Sequence, residues 1–495
     1  MAFNQEYSNF TSIVVTLFFL LCWLKPQGHY ALNQNMNHQP PLYHTISVSS
    51  LISTNDKSSC NNIVPTSTSN GHSKRKASLR VAHKYGACSS SPQGGNKAET
   101  NANLAHEILS HDQARVESIK ARLEKFNSNK DLSDTKTTTL PAHRGTDLRT
   151  LNYVVEVGLG TPAKQLSLVF DTGSDITWTQ CQPCAKSCYQ QQQPIFDPSK
   201  STSFSNISCS SPLCSELESA TGNSPRCANN STCVYEINYG DNSFTVGIFG
   251  KEKLTLSGGE LLENIPFGCG QNNVGLFGAT AGLIGLGRDP LSIVSQTAQK
   301  YGKVFSYCLP TTKSTSGGYL SFGRSGLNAN LQYTQLSTSD DPYYIIQMTA
   351  ITVGGSPVPI SATDLKSDGE SIIDSGTVIT RLPASIYKPM RDAFKKQMAR
   401  YKMAQPISIY DTCYDFSNEK EINVPIISFT FGGSNVKVDI PSDGVFYQVN
   451  GGVSQVCLAF AEDSVNIFGN SQQQTLEVVY DVAGGKIGFA PNGCT

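Results

Sequence analysis

The chain has 495 residues, of which 38% are hydrophobic and 41 are glycine. This composition is typical of a globular protein of two or three folded units that is rich in strands and turns. The formal net charge is −1, but a basic leader (14 Lys and Arg against 9 Asp and Glu in residues 1–140) precedes an acidic body (24 against 30). An acidic body argues against a nucleic-acid binder, whose affinity comes largely from neutralising phosphates.

The N-terminus is typical of a targeting segment. Residues 12–24 are almost wholly apolar, which suits the core of a signal peptide and is too short for a membrane span. We therefore predict a signal peptide over residues 1–28 and secretion. A signal anchor or an organelle transit peptide remains an alternative, because Glu6 and no Lys or Arg precedes the core. The chain has no second apolar run, so we expect no membrane anchor.

Residues 29–145 are predicted to form a polar pro-segment. They are rich in Asn, Ser, His and Gln, and apolar residues at helical spacing over 104–126 predict one amphipathic helix. A disordered linker with one helix is the alternative interpretation. The basic run Lys74-Arg75-Lys76, with Arg80 and Lys84, is the only candidate for a DNA contact, and a charge run of this size is usually a solvated patch. We expect no nucleic-acid partner.

From residue 153 onward the sequence predicts a mostly β body. Short alternating or β-branched segments are separated by Gly, Pro, Asn and Ser clusters. The clearest predicted strands cover residues 153–159, 166–170, 234–239, 343–351 and 426–431. Helical patterns are few, chiefly residues 292–300 and 384–400.

Cysteine usage supports the secretory route. Of 15 cysteines, 12 follow Asp171, and an even dozen in a secreted body predicts six disulfides. Cys181, Cys184 and Cys188 could instead begin a zinc site. Because a secreted protein favours disulfides, we expect no metal and no other cofactor. Three sequons after the leader suit the same compartment and predict glycosylation: Asn206, Asn229 and Asn230.

Two similar tetrapeptides are candidates for the catalytic site. Asp171 begins Asp-Thr-Gly-Ser and Asp374 begins Asp-Ser-Gly-Thr, each after an apolar run. A polar turn after a strand is the alternative interpretation of each copy. Gly173 and Gly376 allow the backbone to turn tightly and bring its N–H groups near the carboxylates.

The residue after each of these glycines carries a hydroxyl group. Ser174 and Thr377 can each donate a hydrogen bond that holds a carboxylate in place.

The distribution of histidine excludes several mechanisms in the body. All eight histidines occur at or before His143. Ser-His-Asp and Cys-His catalysis, and a zinc protease with paired histidines, are therefore excluded there. Two carboxylates that share one site cannot both ionise cheaply, so one can act as base and the other as acid. A glycosidase also uses two carboxylates, but its pair need not lie in two matching turns.

A coarse internal repeat predicts two related lobes. Each Asp motif is followed by an apolar-apolar-Gly element, at residues 283–285 and 467–469. We predict an N-terminal lobe over residues 146–335 with Asp171, and a C-terminal lobe over residues 336–495 with Asp374.

These motifs resemble pepsin-family aspartic proteases, in particular the plant nepenthesin-like branch, over residues 152–494. The resemblance implies a bilobal β-rich fold whose interlobe cleft holds Asp171 and Asp374 as the catalytic pair. It also implies a monomeric endopeptidase, made as a zymogen, that cleaves proteins or peptides at acid pH. Tyr239 matches the tyrosine of a mobile flap, and Trp178 matches the indole that supports it. Asn242 stands where related flaps often carry Gly, which implies altered flap mobility.

The resemblance also implies six disulfide pairings, which spacing by itself cannot choose. They are Cys181–Cys184, Cys188–Cys269, Cys209–Cys233, Cys214–Cys227, Cys308–Cys494 and Cys413–Cys457.

Two other functions remain open for a chain of this fold. Some members are catalytically silent inhibitors of enzymes that degrade plant cell walls, and typically have lost one or both Asp motifs. Others are DNA-associated proteases of plastids. This chain retains both motifs. We also expect the pro-segment to be released by acid, with His83, His106, His111 and His143 gaining charge as the pH falls. The alternative interpretation is that histidine is merely enriched in a polar, disordered leader.

Overall fold

The structure, a computed structural model, describes residues 42–51, 77–83, 99–131 and 153–494. Within the last range it omits 229–230, 240–242, 257–258, 276, 312–313, 315–316, 340, 434 and 449–451, and in residues 99–131 it describes side chains for 109–124 and 126. The predicted signal peptide, the basic run at residues 74–76, two sequons (Asn229 and Asn230) and Asn242 lie outside the described residues.

Strands dominate the described residues, as predicted. Up to residue 335 they are β1 (Tyr43–Ser47), β2 (Ser78–His83), β3 (Tyr153–Leu159), β4 (Lys164–Asp171), β5 (Trp178–Gln180), β6 (Ser205–Asn206), β7 (Arg226–Cys227), β8 (Cys233–Asn238), β9 (Phe244–Thr255), β10 (Leu261–Val274), β11 (Gly282–Gly285), β12 (Val304–Cys308), β13 (Gly318–Phe322) and β14 (Gln332–Gln335). After it they are β15 (Ile345–Val353), β16 (Ser356–Pro357), β17 (Glu370–Ile373), β18 (Thr380–Leu382), β19 (Met403–Ala404), β20 (Cys413–Tyr414), β21 (Glu421–Pro425), β22 (Ile427–Phe431), β23 (Val436–Asp439), β24 (Phe446–Gln448), β25 (Val456–Leu458), β26 (Phe460–Glu462), β27 (Ile467–Phe468), β28 (Glu477–Asp481) and β29 (Lys486–Ala490).

The described helices are short, apart from two. They are α1 (Val48–Leu51), α2 (Glu99–Asp131), α3 (Pro212–Ser215), α4 (Leu217–Thr221), α5 (Ile293–Gln296), α6 (Ala298–Tyr301), α7 (Ala362–Asp368), α8 (Ala384–Gln397) and α9 (Asn470–Gln473), with 3-10 turns at Pro198–Lys200 and Ser442–Gly444. The helix predicted over 104–126 is α2, longer at both ends. The predicted helix 292–300 is divided into α5 and α6 at Thr297, whose hydroxyl bonds back to the carbonyl of Ile293 at 2.7 Å.

Two sheets position the two halves of the chain. A 15-stranded sheet contains β2 to β14 together with β28 and β29, and an 8-stranded sheet contains β15 to β18, β22, β23, β26 and β27. The last two strands therefore return to the first half, where β28 pairs with β12. The predicted boundary between residues 335 and 336 separates the two Asp motifs. It does not separate the sheets, because β28 of the second half completes the core beside β12 of the first half.

The leader contributes two strands and one long helix to the fold. β1 pairs with β21, and β2 lies between β13 and β3 in the large sheet. Helix α2, which we call the leader helix, packs on the body through Val116 and Ile119, whose exposed fractions are 0% and 1%. These two side chains lie in one apolar cluster with Tyr343 and Ile372. The described residues of the leader are thus part of the folded structure.

Six disulfides join the 12 body cysteines, as predicted in number. Two have the implied pairing: Cys308–Cys494 and Cys413–Cys457. The other four implied pairings, Cys181–Cys184, Cys188–Cys269, Cys209–Cys233 and Cys214–Cys227, are wrong. The structure instead has Cys181–Cys269, Cys184–Cys188, Cys209–Cys227 and Cys214–Cys233.

Sheet register and burial explain these differences. Cys181 follows β5, and β5 lies beside β10 with Thr179 opposite Cys269, so the Cα atoms of Cys181 and Cys269 are 5.3 Å apart. Cys214 and Cys233 both lie in the core, with exposed fractions of 2% and 0%. The implied pairings would have joined each buried cysteine to one of the more exposed pair, Cys209 and Cys227.

Candidate active site

Each candidate aspartate lies at the end of a buried strand. Asp171 ends β4, which pairs in parallel with β11, and Asp374 follows β17, which pairs in parallel with β27. The apolar-apolar-Gly elements of the sequence repeat therefore lie directly beside the two aspartate strands. Asp171 is 2% exposed and Asp374 is 0% exposed. The repeat brings two buried carboxylates together, one from each half of the chain.

The glycines of the two motifs are close to both carboxylates. The amide N–H of Gly173 donates to Asp171 Oδ1 at 2.9 Å, and that of Gly376 donates to Asp374 Oδ1 at 3.1 Å. A Cβ at residue 173 would lie 2.9 Å from Asp374 Oδ1, and one at residue 376 would lie 2.6 Å from Asp171 Oδ1. Each glycine thus makes room for the carboxylate of the opposite motif.

The second residues of the motifs link the two halves across the site. The amide of Thr172 donates to Ser375 Oγ at 3.1 Å, and the amide of Ser375 donates to Thr172 Oγ1 at 2.9 Å. Sequence analysis did not single out these residues, although a hydroxyl at the same place in both motifs was the available signal. This reciprocal pair fixes the separation of the two turns.

The two hydroxyl residues that follow the glycines differ in their contacts. Thr377 Oγ1 donates to Asp374 Oδ2 at 2.6 Å. The Ser174 hydroxyl lies close enough to Asp171 to lower its pKa, yet among the described atoms it makes no hydrogen bond of ordinary geometry. The structure therefore gives Asp374 the firmer support.

Tyr239 and Trp178, the two residues assigned to the flap and its support, contact each other. Trp178 is fully buried, and its Nε1 donates to Tyr239 Oη at 2.9 Å. Phe277 packs edge-on against both rings, at centroid distances of 4.8 Å from Trp178 and 5.5 Å from Tyr239. Residues 240–242, where the flap tip is predicted, are not described. The predicted pair is thus in contact, at the base of the predicted flap.

The leader helix places an arginine between the two carboxylates. Arg115 Nη2 lies 2.7 Å from Asp171 Oδ1 and 3.3 Å from Asp374 Oδ1, while its Nε lies 3.2 Å from Asp374 Oδ2. Its guanidinium thus forms a salt bridge with both aspartates. Sequence analysis missed Arg115, and a charged residue on the apolar face of the predicted helix was the available signal.

Burial and Arg115 shape the ionisation of the pair. Burial raises the pKa of Asp171, although Arg115 works in the opposite direction. Burial also acts against ionisation of Asp374, but Arg115, the Thr377 hydroxyl and the Gly376 amide together hold its pKa below the ordinary value. The two carboxyl groups are therefore unequal in this state.

Three more charged residues of the leader helix contact the body. Arg122 Nη2 lies 2.8 Å from Asp175 Oδ2, and Lys120 Nζ lies 2.6 Å from Asp463 Oδ1. The third residue, Asp112, is buried and forms a salt bridge with a buried arginine of the body. The basic leader and the acidic body are thus joined by specific ion pairs.

Of the histidines that we expected to act in acid release, two are described with their side chains. His111 is 6% exposed on the body-facing side of the leader helix, and the His83 ring packs edge-on against Tyr153. The side chain of His106, and the whole of His143, lie outside the described residues. Acid release through histidine stays a prediction.

The described residues give no candidate for a metal site. No group of three or more His, Cys, Asp and Glu among them could hold a metal ion. The cysteines considered for zinc, at residues 181, 184 and 188, are all in disulfides. None of the helices within the described ranges is long and apolar enough to cross a membrane.

Comparison with known proteins agrees with this geometry. The family models "Xylanase inhibitor N-terminal" and "Xylanase inhibitor C-terminal" match residues 153–324 and 343–491. Together with relatives that are named aspartyl proteases, these matches show that the chain belongs to the pepsin-like aspartic protease family.

Its plant relatives are similar over most of its length. It is 46% identical to aspartyl protease AED1 of Arabidopsis thaliana over 490 residues, which are 98% of this chain and 99% of that relative. It is 39% identical to aspartic proteinase nepenthesin-1 of Nepenthes gracilis over 355 residues, 69% of this chain and 78% of that one. The solved structure of edgp matches with a TM-score of 0.54 at 22% identity, covering 69% of this chain and 92% of that chain, which shows the shared fold.

Proposed function

We propose that the chain is an aspartic endopeptidase that is made as a zymogen and hydrolyses peptide bonds at acid pH. The observation that carries this proposal is the convergence of Asp171 and Asp374 on one nitrogen, Arg115 Nη2, at 2.7 and 3.3 Å. Two buried carboxylates at such close quarters share one proton at acid pH. The enzyme acts as a monomer on proteins or peptides, after secretion to the apoplast or a vacuole.

The mechanism needs one ionised and one protonated carboxyl group. The ionised carboxylate removes a proton from the attacking water, while the protonated one donates a hydrogen bond to the scissile carbonyl. The proton then passes to the leaving amine, and the pair regains its starting state. The Thr377 hydroxyl and the Gly376 amide favour ionised Asp374, but the pair titrates as a unit and the roles belong to both.

The leader helix blocks this chemistry. Arg115 of this helix lies where water and substrate would have to approach the two carboxylates. The apolar face of the helix covers the cleft at Val116 and Ile119. The cation of Arg115 favours the ionised form of both carboxyl groups, which opposes the shared proton that the reaction needs. We assign residues 29–145 to a pro-segment that must leave before substrate can bind.

The test is proteolysis by the acidified full chain. We expect the purified protein to lose its leader and to cleave denatured protein at about pH 3 to 5, where a shared proton is retained. Pepstatin should stop this cleavage and a chelator should not. Absence of cleavage across that range contradicts the proposal.

A second candidate is a catalytically silent inhibitor, which the match to the two xylanase inhibitor family models favours. Retention of both aspartates, with their reciprocal Thr172–Ser375 bonds, argues for the enzyme. Inhibition of a xylanase by a protein without proteolytic activity would support this candidate. A gel shift of DNA by the full chain would support the DNA-associated alternative.

A further inference from the structure

A buried acidic side chain of the leader helix is bound in a pocket of the body. Asp112 Oδ2 accepts a hydrogen bond from Arg381 Nη2 at 2.6 Å, and both side chains have an exposed fraction of 0%. Asp112 Oδ1 accepts from the backbone N–H of Val378, and the N–H of Ile379 lies 3.3 Å from both oxygens. The pocket therefore offers donors only.

The pocket belongs to the active-site cleft. Val378 and Ile379 come directly after the Asp374 motif, and Arg381 lies in β18. Asp112 precedes Arg115 by three residues on the same helix, so the two side chains are neighbours on one face. Because Arg115 contacts the catalytic pair, the pocket lies about one helical turn from Asp374.

Departure of the leader removes the partner of Arg381. The Nε and Nη1 atoms of Arg381 already lack hydrogen-bond partners within the described part of the chain. A buried guanidinium without a carboxylate is strongly unfavourable, so the site gains most from a new anionic group. The other cations that line the cleft here, Arg115, Lys120 and Arg122, belong to the leader helix and leave with it.

We propose that Arg381 and the amides of Val378 and Ile379 form a substrate subsite for an aspartate or glutamate side chain, which Asp112 occupies in the zymogen. This inference rests on the proposed function. A carboxylate presents only acceptors to these donors, whereas the amide of Asn or Gln would turn an NH₂ group toward at least one of them. The subsite thus distinguishes acids from their amides.

The test compares matched peptides with the acid-activated full chain. A peptide that is cleaved at one bond is varied so that Asp, then Asn, occupies each position around that bond in turn. At one position we expect kcat/KM to be about tenfold or more higher for the Asp peptide than for the Asn peptide. This ratio corresponds to the free energy of one charge-assisted hydrogen bond. Arg381→Gln should abolish this preference, so that kcat/KM for the Asp peptide and for the Asn peptide become equal at that position.

Two further variants keep the test decisive. Arg324→Gln is the matched control, since Arg324 is an exposed arginine that bonds to Asp481, and it should keep the full preference. If Arg381→Gln does not fold, Arg381→Lys retains the charge and should show a reduced preference for Asp at the same position. An unchanged preference in Arg381→Lys contradicts the proposal.

Wild-type results separate this inference from the proposed function. Equal kcat/KM for Asp and Asn peptides at every position overturns the inference alone, and indicates that Arg381 is satisfied within the body. Asp463, which is close enough to Arg381 for that charge to lower its pKa, is the candidate partner. No cleavage of any peptide, or of denatured protein, refutes the proposed function and this inference with it.

Discussion

Arg115 Nη2 lies 2.7 Å from Asp171 Oδ1, so a residue of the leader contacts a carboxylate that the proposed reaction requires. The two residues are 56 positions apart in the chain. The same guanidinium forms a salt bridge with Asp374. Burial alone would lower the pKa of Arg115, but the two carboxylates raise it. Under the proposed function, the described structure is the closed state, and activity requires the leader helix to move.

The first prediction concerns the catalytic pair. Asp171→Asn and Asp374→Asn should each lower kcat by roughly a thousandfold or more, because neither an acid nor a base can be replaced by an amide. Circular dichroism and thermal unfolding should show that both variants still fold cooperatively. Turnover close to that of the wild type in either variant would sink the assignment of Asp171 and Asp374.

The second prediction concerns the arginine between the carboxylates. Arg115→Gln should weaken leader docking by roughly 2 kcal/mol, since it removes hydrogen bonds to charged groups. The leader should then be released at a higher pH than in the wild type, as followed by the mobility of the chain on gels across a pH series. Glu124→Gln, on the exposed side of the same helix, is the matched control and should leave the release pH unchanged. A similar shift in both variants would mean that Arg115 has no special role.

The third prediction follows from the ion pair between Lys120 and Asp463. Burial raises the pKa of Asp463, but the Lys120 hydrogen bond and other contacts outweigh burial and hold it below the ordinary value. A carboxyl group whose pKa is lowered by docking stabilises the docked state above about pH 3.9, and this stabilisation is lost as the pH falls through the lowered pKa. Asp463→Asn removes the contribution at all pH values, so its leader should leave at a higher pH than that of the wild type.

The control for this ion pair is Asp439→Asn, since the exposed side chain of Asp439 pairs with Lys437 and not with the leader. Identical release curves for Asp463→Asn and the wild type would show that the pair contributes nothing to docking.

The fourth prediction tests histidine as a pH sensor. Replacing His83, His106, His111 and His143 with Gln should lower the pH at which the leader is released, because a charge on a buried ring opposes docking. His111, buried on the body-facing side of the leader helix, should account for most of the effect. An unchanged release curve in the fourfold variant would leave the carboxylates responsible.

The fifth prediction concerns the base of the flap. Tyr239→Phe removes the oxygen that accepts from Trp178 Nε1 while keeping the ring against Phe277. We expect kcat/KM to fall about fivefold, which corresponds to the loss of roughly 1 kcal/mol for one hydrogen bond. Peptide kinetics measure this change, and the unfolding midpoint should stay close to that of the wild type. No loss of kcat/KM would remove Tyr239 from the functional site.

The sequence by itself determined the parts of this protein that depend on local pattern. Alternating and β-branched segments predicted strands such as 153–159, and the matching Asp-Thr-Gly and Asp-Ser-Gly motifs predicted both carboxylates. Both kinds of pattern are readable because backbone preference and side-chain periodicity act over a few residues. The histidine-free body excluded other mechanisms in the same way, by composition. The number of disulfides also followed from counting.

Only the tertiary structure decided which distant residues meet. Sheet register placed Cys181 beside Cys269, and burial separated Cys214 and Cys233 from the outer cysteines, neither of which spacing reveals. The contact between Arg115 and Asp171 likewise depends on the rotation of the leader helix, which apolar residues such as Val116 set by packing on the body. Partners far apart in the chain are selected by packing of the whole fold, and so a linear pattern carries little information about them.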